Sequence, residues 1–371
     1  MDSFDGAYDK ALSRGARAAV EDVLGLKKGE RVLIVTNPPK DAREISMALF
    51  DAALEEDAKP VMMVQRTKGP FDPAEEEVLK ALASNPDVFI SISEERFGKD
   101  QWGLKHGYKG KRRYDHIFDY LYEEKKARAF WSPGVTKDIW SRSVAIDYSQ
   151  LRDDAARLSR IINAADAVHV TAPGGTDIVI GVRGRKCRKD DGDCSKPGMA
   201  GNLPAGEVFV SPALGTADGV IAFDGSIVLT KGEVIIKTPI RTIVKHGFIT
   251  EINGGAEAVK LEGSVRLGEK KAKDAGRAGE MDSKTAAKYA RNAWSIGELG
   301  IGLNRKAKIV AVMLEDEKVF GTCHFAVGSN YDGDSDALIH LDGLVRKPTI
   351  TAVAKSGRTT AVMEKGVLAW D

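Results

Sequence analysis

Two of the six histidines, His324 and His340, lie in a block dense in Gly and Asp that reads GTCHFAVGSNYDGDSDALIHLDG. His340 and Asp342 are two residues apart. On a strand, residues i and i+2 share a face, so this imidazole and carboxylate point the same way, as in half of a metal site. His324 lies in a second apolar run, FGTCHFAVG, placed to pair with the first. Imidazole and carboxylate together suit Zn²⁺, Co²⁺, Mn²⁺ or Fe²⁺. Two glutamates join the candidates: Glu207 in GNLPAGEVFVSP and Glu298 in SIGELGIGLN. Each is flanked by Gly and apolar residues. Burial of a carboxylate in such a run is costly unless it is paired or bound to metal. The plain alternatives are a satisfied core histidine and a strand-end glutamate facing water.

Other motifs carry less. Asp332-Gly-Asp-Ser-Asp336 imitates the start of a calcium loop, but its sixth position is Ala337 and its twelfth Gly343, so it reads as a turn. Cys187 and Cys194 sit seven apart in a charged loop without a second pair, which argues against a zinc ribbon. A regulatory disulfide there is disfavoured in a reducing compartment. Cys323 and His324 are adjacent, and neighbours on a strand face opposite sides, so they do not form a nucleophile pair. The basic cluster LKHGYKGKRRYDH (Leu104–His116) reads as a solvated loop. After the first strand signal stand the residues NPPKDAREI, with no glycine fingerprint for a dinucleotide or a triphosphate.

The elements that must position these residues fall into two halves. From residue 1 to about 170, helix and strand signals alternate. An amphipathic stretch covers Ala7–Leu24. RVLIVT (Arg31–Thr36) is a continuous β-branched run, as in a strand buried on both faces. Asp41 is placed to cap a helix running to about Ala53. Pro60–Gln65 and Asp87–Ser93 read as strands and Pro73–Ala83 as a helix. Two further strands are expected near Phe130 and over Ala167–Pro173. This pattern predicts an α/β domain, residues 1–170, with a mostly parallel open sheet. Beyond Val170, short apolar runs alternate with Gly and Asp-Gly turns, the mark of antiparallel sheet. One helix is expected from a cap at Asp282 or Ser283 to Trp294. Residues 171–371 are thus expected to form an α+β, mainly antiparallel, metal-binding domain.

Composition excludes several classes. The chain has 371 residues, with 55 Lys+Arg against 54 Asp+Glu, so no global field attracts nucleic acid. Three Cys cannot build a disulfide framework. The start is charged and lacks an apolar signal core, and no apolar run reaches the ~18–20 residues that span a bilayer. A cytoplasmic protein with no membrane or nucleic-acid partner is expected.

The strings GNLPAGEVFVSPALGTADGVIAFDGSI, IGELGIGLN, GTCHFAVGSNY and IHLDG, in that order, resemble the thermophilic metallo-aminopeptidase family of the aminopeptidase T, aminopeptidase S and PepS type. The resemblance covers about Gly174 to Asp371. It implies that Glu207, Glu298, His324, His340 and Asp342 hold two divalent metals (Zn, Co or Mn). Tyr331 would supply a catalytic hydroxyl, with Glu207 also in the catalytic machinery. It implies a homodimer and a small peptide substrate, cleaved at its N-terminus by metal-activated water. Glu298 or Asp342 would bridge the metals, and Tyr331 would donate to the developing oxyanion. Two departures point to a shorter, divergent branch. The segment between His324 and His340 is shorter than in typical members, and the lead to Glu207 reads NLPAGEVF in place of a threonine- and proline-containing one. Dihydroxypyridine dioxygenases resemble the same family. His324, His340 and Asp342 alone satisfy the two-His-one-carboxylate pattern of mononuclear Fe(II), which makes a ring-cleaving dioxygenase the competing reading. A non-catalytic binding protein on this scaffold is the third, and the full ligand set argues against it. Glu207 and Glu298 exceed what a mononuclear triad needs, and on that ground the aminopeptidase is the expectation.

Overall fold

The computed structural model describes residues 3–69 and 72–371. The chain divides into two compact units, Met1–Arg152 with Asp190–Ala205, and Asp153–Lys189 with Gly206–Asp371.

The first unit is built on a five-stranded sheet in the order Ala200–Asn202, Arg128–Trp131, Val88–Ile92, Arg31–Thr36, Lys59–Val64. All four pairings are parallel. The Val88–Ile92 strand is buried at every residue, and Arg31–Thr36 at all but the first. That matches the unbroken apolar runs of a sheet covered on both faces. Helices Lys40–Glu55, Glu76–Ala83, Ile117–Glu123 and Lys137–Ser143 alternate with these strands. Asp41 does not cap the first of them. Pro39 holds the cap position, and the Asp41 carboxylate accepts from the Lys137 backbone N–H at 3.0 Å instead.

The second unit contains two sheets. One runs Phe248–Asn253, Ile240–Lys245, Asp218–Phe223, Asp177–Gly181, Ala167–Thr171, Thr349–Val353, Thr359–Glu364, Val367–Leu368. Every neighbour pair in it is antiparallel. The other runs Gly232–Ile235, Ser226–Leu229, His340–Arg346, Thr322–Gly328, Ile296–Gly302, Glu207–Val210, Arg188–Asp190. Its central pairings are antiparallel too. The strands Ile296–Gly302 and Thr322–Gly328 are buried throughout.

Three features differ from the sequence reading, each for a non-local reason. Ala167–Thr171 joins the antiparallel sheet of the second unit, not the parallel sheet; its burial alternates, as a strand with one open face requires. Ala200–Asn202 returns to the first unit as a parallel edge strand, so the division falls at Arg152 and again near residues 190–205, not once near Val170. A 22-residue helix, Ala256–Arg277, precedes the expected one. Its buried stripe is narrow: beside Leu261 and Val265 it consists of Ala258, Ser264, Gly268 and Ala272, with Gly268 against the Ile339 side chain. Such a stripe leaves little apolar periodicity to read. The expected helix forms over Ser283–Asn292, and the Asp282 carboxylate accepts from the N–H groups of Lys284 and Thr285.

Candidate metal centre

Strand register brings five of the expected residues to one face. Directly paired residues share a face, as do residues i and i+2. Glu207 pairs with Gly302, and His324 with Gly300. Ala326 pairs with Glu298 on one side and Asp342 on the other, and Gly328 pairs with His340. The functional side chains are therefore interleaved with Gly300, Gly302, Ala326 and Gly328, whose small size leaves room for them. A Cβ on Gly300 would stand 2.1 Å from the His324 ring, so the imidazole lies directly over that glycine. A bulge between Ile296 and Glu298 sets the glutamate in register with Ala326.

Within this face Glu207, Glu298 and His324 offer ligand atoms that all lie within 4.8 Å of one another, and all three are buried. His324 Nε2 is 3.1 Å from Glu298 Oε1 and 3.4 Å from Glu207 Oε2. The second oxygen of Glu298 is 4.0 Å from His340 Nε2, which in turn is 3.2 Å from Asp342 Oδ1. Glu298 thus stands between two groups, His324 with Glu207 and His340 with Asp342. Tyr331 lies in the loop that follows, half exposed, with its ring edge-on to His340 (5.3 Å between centroids) and to Phe209 (5.4 Å).

Sequence reasoning missed two participants. Lys318 is fully buried, and its Nζ is 2.5 Å from Glu207 Oε1 and 2.6 Å from Glu317 Oε1. They follow the short helix Met313–Asp316, where the string LEDEK reads as surface charge. No local signal marks this lysine as internal.

A cation fits the donor set. Glu207 Oε2, Glu298 Oε2 and Asp342 Oδ1 are buried without a hydrogen-bond partner, and His324 turns its Nε2 toward Glu207 and Glu298. His340 Nδ1 is 2.9 Å from the Ser329 carbonyl oxygen. A carbonyl only accepts, so Nδ1 carries the proton, which leaves Nε2 as the ligand nitrogen facing Asp342 and Glu298. Acceptors converging in this way require a proton or a metal between them. Without metal, protons fill the role. Burial opposes charge on His324, but the Glu298 hydrogen bond and the carboxylates of Glu207, Glu298 and Asp342 outweigh it and raise the ring to about 9. His340 is likewise raised to about 10 against its burial, chiefly by Asp342. Burial lifts Glu207 to about 8 despite Lys318, while His340 and His324 overcome burial to hold Asp342 at about 2.

The decoys are neutralised locally. Asp332 and Asp334 are held by Arg185, Asp332 also by Arg188, and Asp336 by Lys288 at 3.0 Å, so the calcium-like string is a pinned turn. Cys187, Cys194 and Cys323 are buried free thiols, and burial raises Cys323 far above the usual thiol range. In the basic cluster Arg112 pairs with Glu123 and Arg113 with Asp115. No helix among the described residues is long and apolar enough to cross a membrane.

The fold is of the α/β enzyme kind, and its buried carboxylate and histidine cluster could hold a metal ion. Residues 137–358 match the family model NicX, 2,5-dihydroxypyridine 5,6-dioxygenase, and the matched span contains all of the site residues above. The chain belongs to that family. Among solved structures it is similar to the 2,5-dihydroxypyridine dioxygenase of Pseudomonas putida KT2440, with 16% identity over 98% of each chain and a TM-score of 0.70. It is also similar to wild-type AmpT from Thermus thermophilus, with 17% identity over 99% of this chain and 100% of the other and a TM-score of 0.65. At these identities the likeness shows a shared fold. No curated protein sequence matches the chain. The expected metallo-aminopeptidase, with its hydrolase and metalloprotease chemistry, is overturned by the family match, which falls on a ring-cleaving dioxygenase. The error has a physical source: buried carboxylates and imidazoles on one scaffold serve either metal-activated water or oxygen chemistry, so the donor set alone does not separate them.

Proposed function

We propose that this chain is an Fe(II)-dependent dioxygenase that opens the ring of a dihydroxylated N-heteroaromatic compound of the 2,5-dihydroxypyridine class. The observation that carries the reading is the family match over residues 137–358, which includes His324, His340 and Asp342. His324, His340 and Asp342 would hold Fe(II), which would supply the activation of O₂. Both atoms of O₂ enter the product as a ring C–C bond breaks, so no external reductant is required.

This chain's residues prepare the site for that reaction. Ser329 fixes the His340 tautomer, and Gly300 admits the His324 ring. Glu298 Oε2 and Glu207 Oε2, buried and without partners, are the acceptors for the hydroxyl protons of an entering ring. Tyr331 and Phe209 form an aromatic edge beside His340 against which a flat ring packs. Burial and the carboxylates of Glu298 and Asp342 raise the Tyr331 hydroxyl, so it remains a proton donor at neutral pH.

The test is oxygen uptake by protein loaded anaerobically with Fe²⁺. With 2,5-dihydroxypyridine and its ring-substituted relatives as substrates, O₂ consumption should match the loss of ring absorbance mole for mole. His340→Ala and Asp342→Ala should abolish it. Iron-loaded protein that consumes no O₂ with any dihydroxylated pyridine or benzene ring would refute the reading.

A further inference from the structure

The two groups of donors joined by Glu298 have the outline of a site for two cations. Glu207 stands at one end, facing His324 and Glu298; His340 and Asp342 stand at the other, with His324 and Glu298 between the ends. A buried ammonium is already built into the first. Lys318 has no exposed surface, and its Nζ sits within hydrogen-bond distance of both Glu207 and Glu317. A lysine is rarely buried completely unless paired, because removing its charge from water is costly. Here it places a fixed positive charge on the carboxylate that would otherwise be free to bind an ion at that end.

We infer that Lys318 occupies the second cation position of this centre, so that the chain binds one divalent ion where the same donors without the lysine would bind two. The inference rests on the metal site proposed above and adds its stoichiometry. It also explains why Glu207 and Glu298 are present beside a mononuclear triad. Glu207 is the counter-ion of Lys318, and Glu298 lies between that pair and the ion that His324, His340 and Asp342 would hold. Removing the ammonium leaves the buried Glu207 and the partly buried Glu317 uncompensated, and a second divalent ion is the cation best able to replace it.

The experiment is a count of bound Mn²⁺ by elemental analysis after gel filtration, with the electron paramagnetic resonance spectrum of the same samples. The proteins are the full chain and its variants Lys318→Gln and Lys318→Met; the first keeps a hydrogen-bonding head should the second fold poorly. The native chain should bind about one ion with the spectrum of an isolated Mn²⁺. Both variants should bind about two, with a spin-coupled spectrum, and their melting temperature should fall without metal and recover with it. Two ions on the native chain, or one on a folded variant, would overturn the role of Lys318 while leaving the metal centre in place. No bound ion on the native chain would instead overturn the metal centre itself.

Discussion

His324 and His340 hold positive charge against their burial, which makes the metal-free centre a store of protons. Folded values of about 9 for His324 and about 10 for His340 lie above that of the unfolded chain, ~6.5 for His. A raised group binds a proton in the fold that the unfolded chain has released, so its contribution is complete below the unfolded value and disappears as pH rises through the folded one. Asp342, held at about 2, works in the opposite sense and loses its contribution only as the pH drops from ~3.9 toward 2. Metal-free protein should therefore lose stability between about pH 6.5 and pH 10, by more than the ~1.4 kcal/mol that a tenfold change in the affinity for one proton represents. Saturating Mn²⁺ should remove most of that loss, because the ion takes the place of the protons. Urea melts at the two pH values, with chelator and with Mn²⁺, measure both effects. A metal-free protein equally stable at both would show that the cluster does not hold these protons.

At the scale of elements, four antiparallel strands do the positioning, and glycine is part of the mechanism. The His324 ring occupies the space that a side chain on Gly300 would need. Gly300→Ala should push the ring away from Glu298, lower stability by about 1–3 kcal/mol through overpacking, and weaken Mn²⁺ binding. Gly263 is the control: it lies exposed in the helix Ala256–Arg277 with nothing near its added Cβ. Gly263→Ala should raise stability by about 0.5–1 kcal/mol and leave metal binding alone. Calorimetric titration of the two variants separates the cases, and wild-type affinity in Gly300→Ala would mean that the ring has another place to go. The short segment between His324 and His340 also has a structural account. It is the loop of a hairpin closed by the pairing of Gly328 with His340, and it is pinned where Asn292 donates to the Asp336 carbonyl and where Ser295 and Ser335 meet at 2.7 Å. The strand runs and the Asp282 cap were readable because each repeats a local pattern. The helix Ala256–Arg277 was not, because only Leu261 and Val265 of its buried face are large apolar residues.

Across the whole molecule, the centre draws on residues from 207 to 342, so a bound metal would tie together parts of the second unit that lie far apart in the chain. A ligand that binds only the folded form stabilises it by ~2.7 kcal/mol at a hundredfold excess over its dissociation constant. Hydrogen exchange with and without Mn²⁺ should show added protection in the strands Ile296–Gly302, Thr322–Gly328 and His340–Arg346. The parallel sheet around Val88–Ile92 should change little. Protection spread evenly over both units, or absent from the three strands, would contradict a centre located where these residues converge. The sequence by itself determined the residue types of the centre. The i, i+2 spacing of His340 and Asp342 and the apolar setting of Glu207 and Glu298 are local facts, and strand geometry converts them directly into direction and burial. Only the tertiary structure decided how many charges meet there. Lys318 looks like any surface lysine in its own string, and it becomes internal because the turn after Met313–Asp316 carries it under Glu207, more than a hundred residues earlier in the chain. The same holds for the edge strand Ala200–Asn202 and for Ala167–Thr171. Long-range pairing selects a partner from the whole fold, whereas periodicity and spacing report only what a segment does with its own neighbours.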